Sequence, residues 1–434
     1  MRLGQAGLGT IGAPLAQALA RGRVPGARLC QLAVRTPGRP RQLGLAHIPQ
    51  AASLLALARA KELDAVVELI GGADRPALGF VRAALQAGKH VITANKALLA
   101  RHGAELAALA EANKVGLYYE AAIGGGIPIV KSLRESLVGN RVRSLFGILN
   151  GTCNFILSEM EARDLAFADA LKAAQKLGLA ESNPSADISG ADAAQKLALL
   201  SSLAFGVKPE DTIAPQGIAQ IGLLDMRWAA DLGCRIRLLA RAEMRGKSLL
   251  QEVRPMLVPS AHLLAHMEKA RNAIFVRAEP AGLLLLEGEG AGPGPTISSL
   301  LADVHDCAAA RRMLPFGRSA RQWRAPPRLD GAQMRRAWYL RVWMRDEAGS
   351  MARASRALAE ERVSLSEVVQ RHAPPRPAPG QADAPAGMVP VLFVTHACAA
   401  DAVERACARL RRARVIARDS LLLPLFAESA TRKT

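Results

Sequence analysis

The chain of 434 residues has no apolar run that approaches a membrane span, although half of its residues are hydrophobic. Arg, Gly or Pro interrupts each stretch well short of the roughly 20 apolar residues a spanning helix needs, so no membrane partner is expected. The cysteines, Cys30, Cys153, Cys234, Cys307, Cys398 and Cys407, form no CxxC pair and have no His cluster beside them. That pattern argues against a disulfide framework and against a structural zinc. The opening MRLGQAGLGTIG lacks the charged start, apolar core and small-residue cleavage site of a secretory signal, which points to the cytoplasm. Aromatic residues make up only 4%. Their scarcity bears on the formal net charge of +19, because Arg and Lys are spread along the chain with no stripe of stacking rings between them. A solvated basic surface is expected, and no nucleic-acid partner.

What is present has a clear order. Up to residue 127 short apolar strands alternate with turns and helices: LGQA, RLCQLAV, AVVELIG, HVITA and VGLYYEA. Such a βαβ series predicts an α/β domain on a Rossmann-type parallel sheet. From 128 to 297 long helical patterns such as FADALKAAQKLGLA and SGADAAQKLALLSSLAFG precede strand-like NAIFVRAE and GLLLLEGEG, which reads as an α+β domain for substrate binding and dimerisation. A helix near 298–313 is expected to return to the first domain. Residues 314–336 are basic, Pro-bearing and aperiodic, as in a linker. Residues 337–427 then run β-α-β-β-α-β, the order of a ferredoxin-like domain. Within it, RHAPPRPAPGQADAPAG is too rich in Pro, Ala and Gly to pack and is expected to be a disordered extension of the central hairpin.

Chemistry concentrates in a few strings. Gly7, Gly9, Thr10, Ile11 and Gly12 form a GxGxxG turn directly after a strand and ahead of a helix. Glycines there let a pyrophosphate approach the free N–H groups of the helix N-terminus. The next strand ends at Arg35 where NAD enzymes carry an acid; a cation there suits the 2′-phosphate of NADP, with Arg39 and Arg41 close behind, or is a solvated loop. In HVITANKALLA, Lys96 follows the strand end at Thr93 and Asn95, on the crevice side of an open α/β sheet, where many lysines are merely solvated. Gly124, Gly125 and Gly126 after Glu120 allow a curved backbone that could turn carbonyls onto an alkali cation, or serve only as a domain junction. Finally, Ser189 is placed to cap a helix with Asp192 in its first turn and Lys196 four residues on. That pair is either a surface ion pair or, in a string that also holds Gly178, Glu181 and Asp187, a lysine proton donor beside a carboxylate, with Glu181 able to hold a substrate ammonium.

In order and spacing, AGLGTIG, VVELIGG, HVITANKALLA, YYEAAIGGGIPI, ILNGTCNFIL, AQKLGLAE, GADAAQKLALL and GPGPTISS resemble the homoserine dehydrogenase family, from the glycine turn to about Met313. The resemblance implies interconversion of L-homoserine and L-aspartate 4-semialdehyde with NADP(H), possibly NAD(H), in threonine, methionine and isoleucine biosynthesis. It implies Lys196 as proton donor, Lys96 as second active-site lysine, and Asp192 and Glu181 as homoserine-binding carboxylates. Asn150 and Thr152 then line the substrate pocket, while Thr93, Gly178 and Gly292 touch the nicotinamide cofactor. Glu120, Ile123, Gly125 and Ile127 correspond to a sodium site built largely from backbone carbonyls. The last domain resembles an ACT domain, so threonine is an expected effector, bound at the turn from Asp346 to Gly349. A homodimer or homotetramer is expected. The chain departs from the family's pattern at Gln5, Leu179, Asn183, Ile297 and Ala348. Another NADP-dependent amino-acid dehydrogenase, or a silent NADP-binding sensor, are the rival readings; a silent sensor should have lost Lys96 and Lys196.

Overall fold

Short buried strands separated by helices build the first sheet, and their lack of polar alternation follows from being covered on both faces. In the computed structural model, which describes residues 1–370 and 385–428, these are β1 (Arg2–Ala6), β2 (Arg28–Ala33), β3 (Ala65–Glu68), β4 (His90–Thr93) and β5 (Leu117–Tyr118). They pair in parallel in the order β2-β1-β3-β4-β5. Because the chain leaves β1 first to one side and then to the other, a crevice opens beyond the carboxyl ends of β1 and β3. The helix Pro293–Ala308, far along the chain, lays Leu300, Val304 and Cys307 into the core made by Leu3, Leu15, Leu19 and Ile92.

The second sheet has six strands: β6 (Arg141–Ile148), β7 (Cys234–Arg245), β8 (Ser248–Pro259), β9 (Arg271–Glu279), β10 (Gly282–Glu289) and β11 (Arg328–Leu329). Their order is β10-β9-β6-β7-β8-β11. Sequence reading anticipated β9 and β10, whereas β6, β7 and β8 come as additions. Charge hides them: Arg237, Arg241, Glu243 and Glu252 sit buried within β7 and β8. Each charge is compensated, Arg241 by Glu243 at 2.7 Å, Arg237 by Glu161 at 3.1 Å and Glu252 by Arg336 at 2.8 Å. The helices Gly151–Arg163 and Ala191–Phe205 lie across β7.

The aperiodic stretch after Met313 is a docked strap. Phe316 is fully buried against Tyr119, Tyr119 donates its hydroxyl to the Pro315 carbonyl, and Glu111 accepts from Ser319 Oγ and Ala320 N. After it β12 (Trp338–Arg345), β13 (Leu365–Gln370), β14 (Met388–Thr395) and β15 (Ile416–Pro424) form an antiparallel sheet in the order β13-β14-β12-β15, with helices Ser350–Glu360 and Ala400–Arg412. This is the ferredoxin-like order expected. Residues 371–384 of the Pro/Ala-rich stretch lie outside the described residues. The third unit is fastened to the second by buried polar contacts: Tyr339 Oη and Arg341 Nε both donate to Asp225 Oδ1 at 2.7 Å.

Candidate active site

The glycine turn is held by its own sequence. Gly7 has φ of +97°, and a Cβ at Gly12 would stand 2.2 Å from the Gly7 carbonyl oxygen, so both positions require glycine. Gln5 lies buried beneath them, its Nε2 donating to the Gly7 carbonyl at 3.0 Å and the Gly12 carbonyl at 2.6 Å. The helix Gly12–Ala20 starts there, with Ile11 at its N-cap, while Gly9 and Thr10 are exposed. Gly7 and Gly9 open on a cavity of about 700 Å³ whose far wall holds Arg35 and Arg39. Arg35 is exposed, with no ion pair among the described residues; Arg41 is outside the lining.

Beyond β4 the crevice meets a cluster of charge. Asn95 caps the helix Lys96–Ala112 by accepting from Leu98 N at 3.1 Å, which fixes Lys96 at the first helical position. Lys96 Nζ lies 3.0 Å from Asp192 Oδ1, and Lys196 Nζ lies 2.8 Å from Asp192 Oδ2. Asp192 and Lys196 are buried, so this is not the surface pair their spacing allowed. Lys196 also donates to the Leu149 carbonyl at 2.8 Å, and Asn150 Nδ2 bridges Asp192 Oδ2 at 2.9 Å and Asp187 Oδ1 at 2.7 Å. Burial opposes the charge on Asp192, yet Lys196, Lys96 and Asn150 together hold its carboxyl well below the usual range. The negative charge of Asp192 in turn raises Lys96 above its ordinary value. Burial, with the Asp192 charge, pushes Asp187 up despite its bond from Asn150.

Other expected positions fall around this cluster. Thr152 Oγ1 donates to the Leu179 carbonyl at 2.7 Å, which ties the helix Gly151–Arg163 to the segment carrying Gly178 and Glu181. Gly178 has φ of +72° and is exposed; Glu181 is also exposed, and its charge reaches Lys96. Thr93 is fully buried and gives its hydroxyl to Glu68 Oε2 at 2.6 Å, leaving only main chain for a ligand. Gly292, at φ +104°, stands exposed at the N-cap of Pro293–Ala308. Ser189 does not cap its helix: Gly190, at φ +83°, is the N-cap, because the chain reverses there after the short helical turn Ser185–Ile188.

By sequence the glycine run suits either a cation loop or a junction. Gly125 has φ of +60°, and its carbonyl accepts from Ser299 Oγ at 2.5 Å; the Ile127 carbonyl accepts from Ile129 N at 2.8 Å. Each oxygen keeps a second lone pair, so the donor set suits a hard cation. The Glu120 carboxylate oxygens each accept one backbone hydrogen bond, from Val130 N and Lys131 N, both at 2.8 Å, which fixes the side chain toward the start of the next helical turn. Among the described residues no group of three or more His, Cys, Asp or Glu could hold a metal.

Some participants escaped sequence reasoning. Glu68, fully buried, accepts from Thr93, Ile70 N and Gly71 N and so fixes the crevice rim; the VVELIGG string held it, but a carboxylate within a strand signals nothing by itself. Asn272 donates to the same Leu149 carbonyl as Lys196, at 3.1 Å, from a strand distant in sequence.

A glycine-turn nucleotide domain, with two lysines sharing one buried aspartate beyond its sheet, has the build of a nicotinamide-dependent oxidoreductase. Comparison narrows the class. Family models described as "Homoserine dehydrogenase, NAD binding domain" and "Homoserine dehydrogenase" match residues 7–120 and 128–305. The homoserine dehydrogenase of Pseudomonas aeruginosa is 37% identical over 410 residues, 91% of this chain and 92% of that one. The crystal structure of a homoserine dehydrogenase from Thiobacillus denitrificans superposes with a TM-score of 0.88 at 36% identity, covering 98% of each chain. A hyperthermophilic archaeal homoserine dehydrogenase in complex with NADPH gives 0.60 at 26% identity over 71% of this chain and 98% of that one. The chain belongs to the homoserine dehydrogenase family. No helix among the described residues is long and apolar enough to cross a membrane.

Proposed function

We propose that the chain interconverts L-homoserine and L-aspartate 4-semialdehyde, with NADP(H) preferred over NAD(H) and Lys196 as proton donor. The observation that carries this reading is the single buried carboxylate of Asp192 between Lys96 and Lys196 at the crevice mouth. When bound, the nicotinamide supplies or takes the hydride. In the reducing direction negative charge grows on the aldehyde oxygen, and two ammonium groups already oriented by Asp192 stabilise it. Lys196 Nζ gives that oxygen its proton; in oxidation the neutral amine takes it back. Asn150, by bridging Asp192 and Asp187, fixes the carboxylates of the cluster, and Asp192 and Glu181 would hold homoserine, with Glu181 on its ammonium. The carbonyls of Glu120, Ile123, Gly125 and Ile127 would hold sodium and brace the loop between the two domains.

Two substitutions test the assignments. Glu181→Ala should raise the homoserine KM about tenfold with kcat little changed, because the lost attraction is present in ground and transition states alike. A change confined to the NADP KM would contradict it. Arg35→Asp should shift the NADP-to-NAD ratio of kcat/KM by at least about tenfold toward NAD, replacing a phosphate partner with an acceptor for ribose hydroxyls. An unmoved ratio would place selectivity elsewhere.

We further read residues 337–427 as an ACT-like sensor with threonine as effector, and the enzyme as a cytoplasmic homodimer or homotetramer.

A further inference from the structure

Where helix Ala400–Arg412 and β15 face β8 and the 216–220 loop, they border an open cavity of about 780 Å³ between the second and third domains. Its walls carry charges that the protein leaves unpaired. Arg254 donates from Nε and Nη2 to Gln216 Oε1 at 3.2 and 2.8 Å, a neutral acceptor, and no described carboxylate pairs with it. Arg411 donates to Ser420 Oγ, while its Nε is buried without a hydrogen-bond partner. Opposite in sign, Asp401 and Glu404 line the same cavity from the helix face that also carries Arg411, and neither has an ion pair among the described residues. Neighbouring charges are satisfied: Arg405 by Glu361, Arg409 by Glu360, Arg341 by Asp225 and Arg336 by Glu252. Burial, reinforced by Arg336, lowers Arg254 from its ordinary value, and the charges of Glu252, Glu404 and Asp330 offset this only in part.

We propose that this interdomain cavity binds a free α-amino acid, its carboxylate on Arg254 and Arg411 and its ammonium on Asp401 and Glu404. The inference rests on reading the C-terminal domain as an amino-acid sensor and assigns it a site apart from the Asp346–Gly349 turn, none of whose residues line the cavity. Arginine forks suit a carboxylate, and mixed charge in one pocket selects a zwitterion over a simple anion.

A route to the active site starts in the same wall. A ligand carboxylate on Arg254 displaces the Gln216 amide; the loop that carries Gln216 is bonded through Ile218 N to the Ile188 carbonyl at 3.0 Å, next to Asp187. Asp187 in turn accepts from Asn150 at 2.7 Å. Occupancy of the cavity therefore acts on the homoserine side, and substrate reciprocally alters effector affinity.

The test is isothermal titration of the full chain with L-threonine, L-methionine, L-isoleucine and L-lysine, in the unaltered protein and in Arg254→Gln, Glu404→Gln and Asp346→Asn. At least one amino acid should bind, about tenfold or more weakly in Arg254→Gln and Glu404→Gln and unchanged in Asp346→Asn. Ligand-free homoserine oxidation serves as the folding control; should Arg254→Gln fail it, Glu404→Gln decides, since that side chain is exposed. Binding of a different amino acid with this sensitivity supports the cavity and removes threonine as effector. Threonine binding indifferent to both cavity substitutions leaves the sensor reading in place and overturns the cavity. Absence of any binding overturns it as well.

Discussion

Lys196→Ala is expected to lower homoserine turnover by about a hundredfold or more while the Kd for NADP stays within about twofold, as for loss of a general acid that does not hold the cofactor. The protein should survive the change. Asp192 keeps Lys96 at 3.0 Å and Asn150 at 2.9 Å, so its buried charge remains compensated. A stability loss of up to ~3 kcal/mol, the low end for a buried pair losing one partner, is the expected scale. Steady-state kinetics with fluorescence titration of NADP separates the two effects. Turnover within about threefold of the unaltered enzyme would remove Lys196 from the chemistry.

Gly12→Ala should act at the other end of the crevice. The new Cβ would meet the Gly7 carbonyl oxygen at 2.2 Å and Gln5 Nε2 at 3.1 Å, and neither the backbone turn nor the buried amide has room to retreat. The turn must open, and with it the N–H groups that face the pyrophosphate. The NADP KM is expected to rise at least about tenfold, with a falling Tm and a smaller change in the homoserine KM. Unchanged cofactor affinity would show that the turn does not carry the nucleotide.

Much of this was legible because local signals and global fold agree. The glycine turn, the strand-to-helix turn that carries Asn95 and Lys96, and the Asp192–Lys196 spacing are statements about single helices and strand ends, which a linear reading reaches. Long-range compensation is what it misses. The strands β7 and β8 were invisible as core elements because Arg237, Arg241, Glu243 and Glu252 break their apolar pattern, and the partners that make those charges tolerable, such as Glu161 and Arg336, lie far away in sequence. Phe316 was set down as part of a linker for the same reason, since its partner Tyr119 belongs to the first domain. Nothing in the linear sequence gives Asp187 a role; only the Asn150 bridge joins it to Asp192. Gln5, a departure from the family's pattern, clamps the glycine turn by its side-chain amide.

The central claim, oxidation of homoserine with NADP at the Lys96–Asp192–Lys196 cluster, is tested most directly by following NADPH absorbance with L-homoserine, L-serine and L-threonine as substrates, in parallel with NAD. Homoserine alone should drive rapid reduction, with kcat/KM higher for NADP than for NAD. Reduction that proceeds equally with serine, or that does not depend on homoserine, would contradict the account.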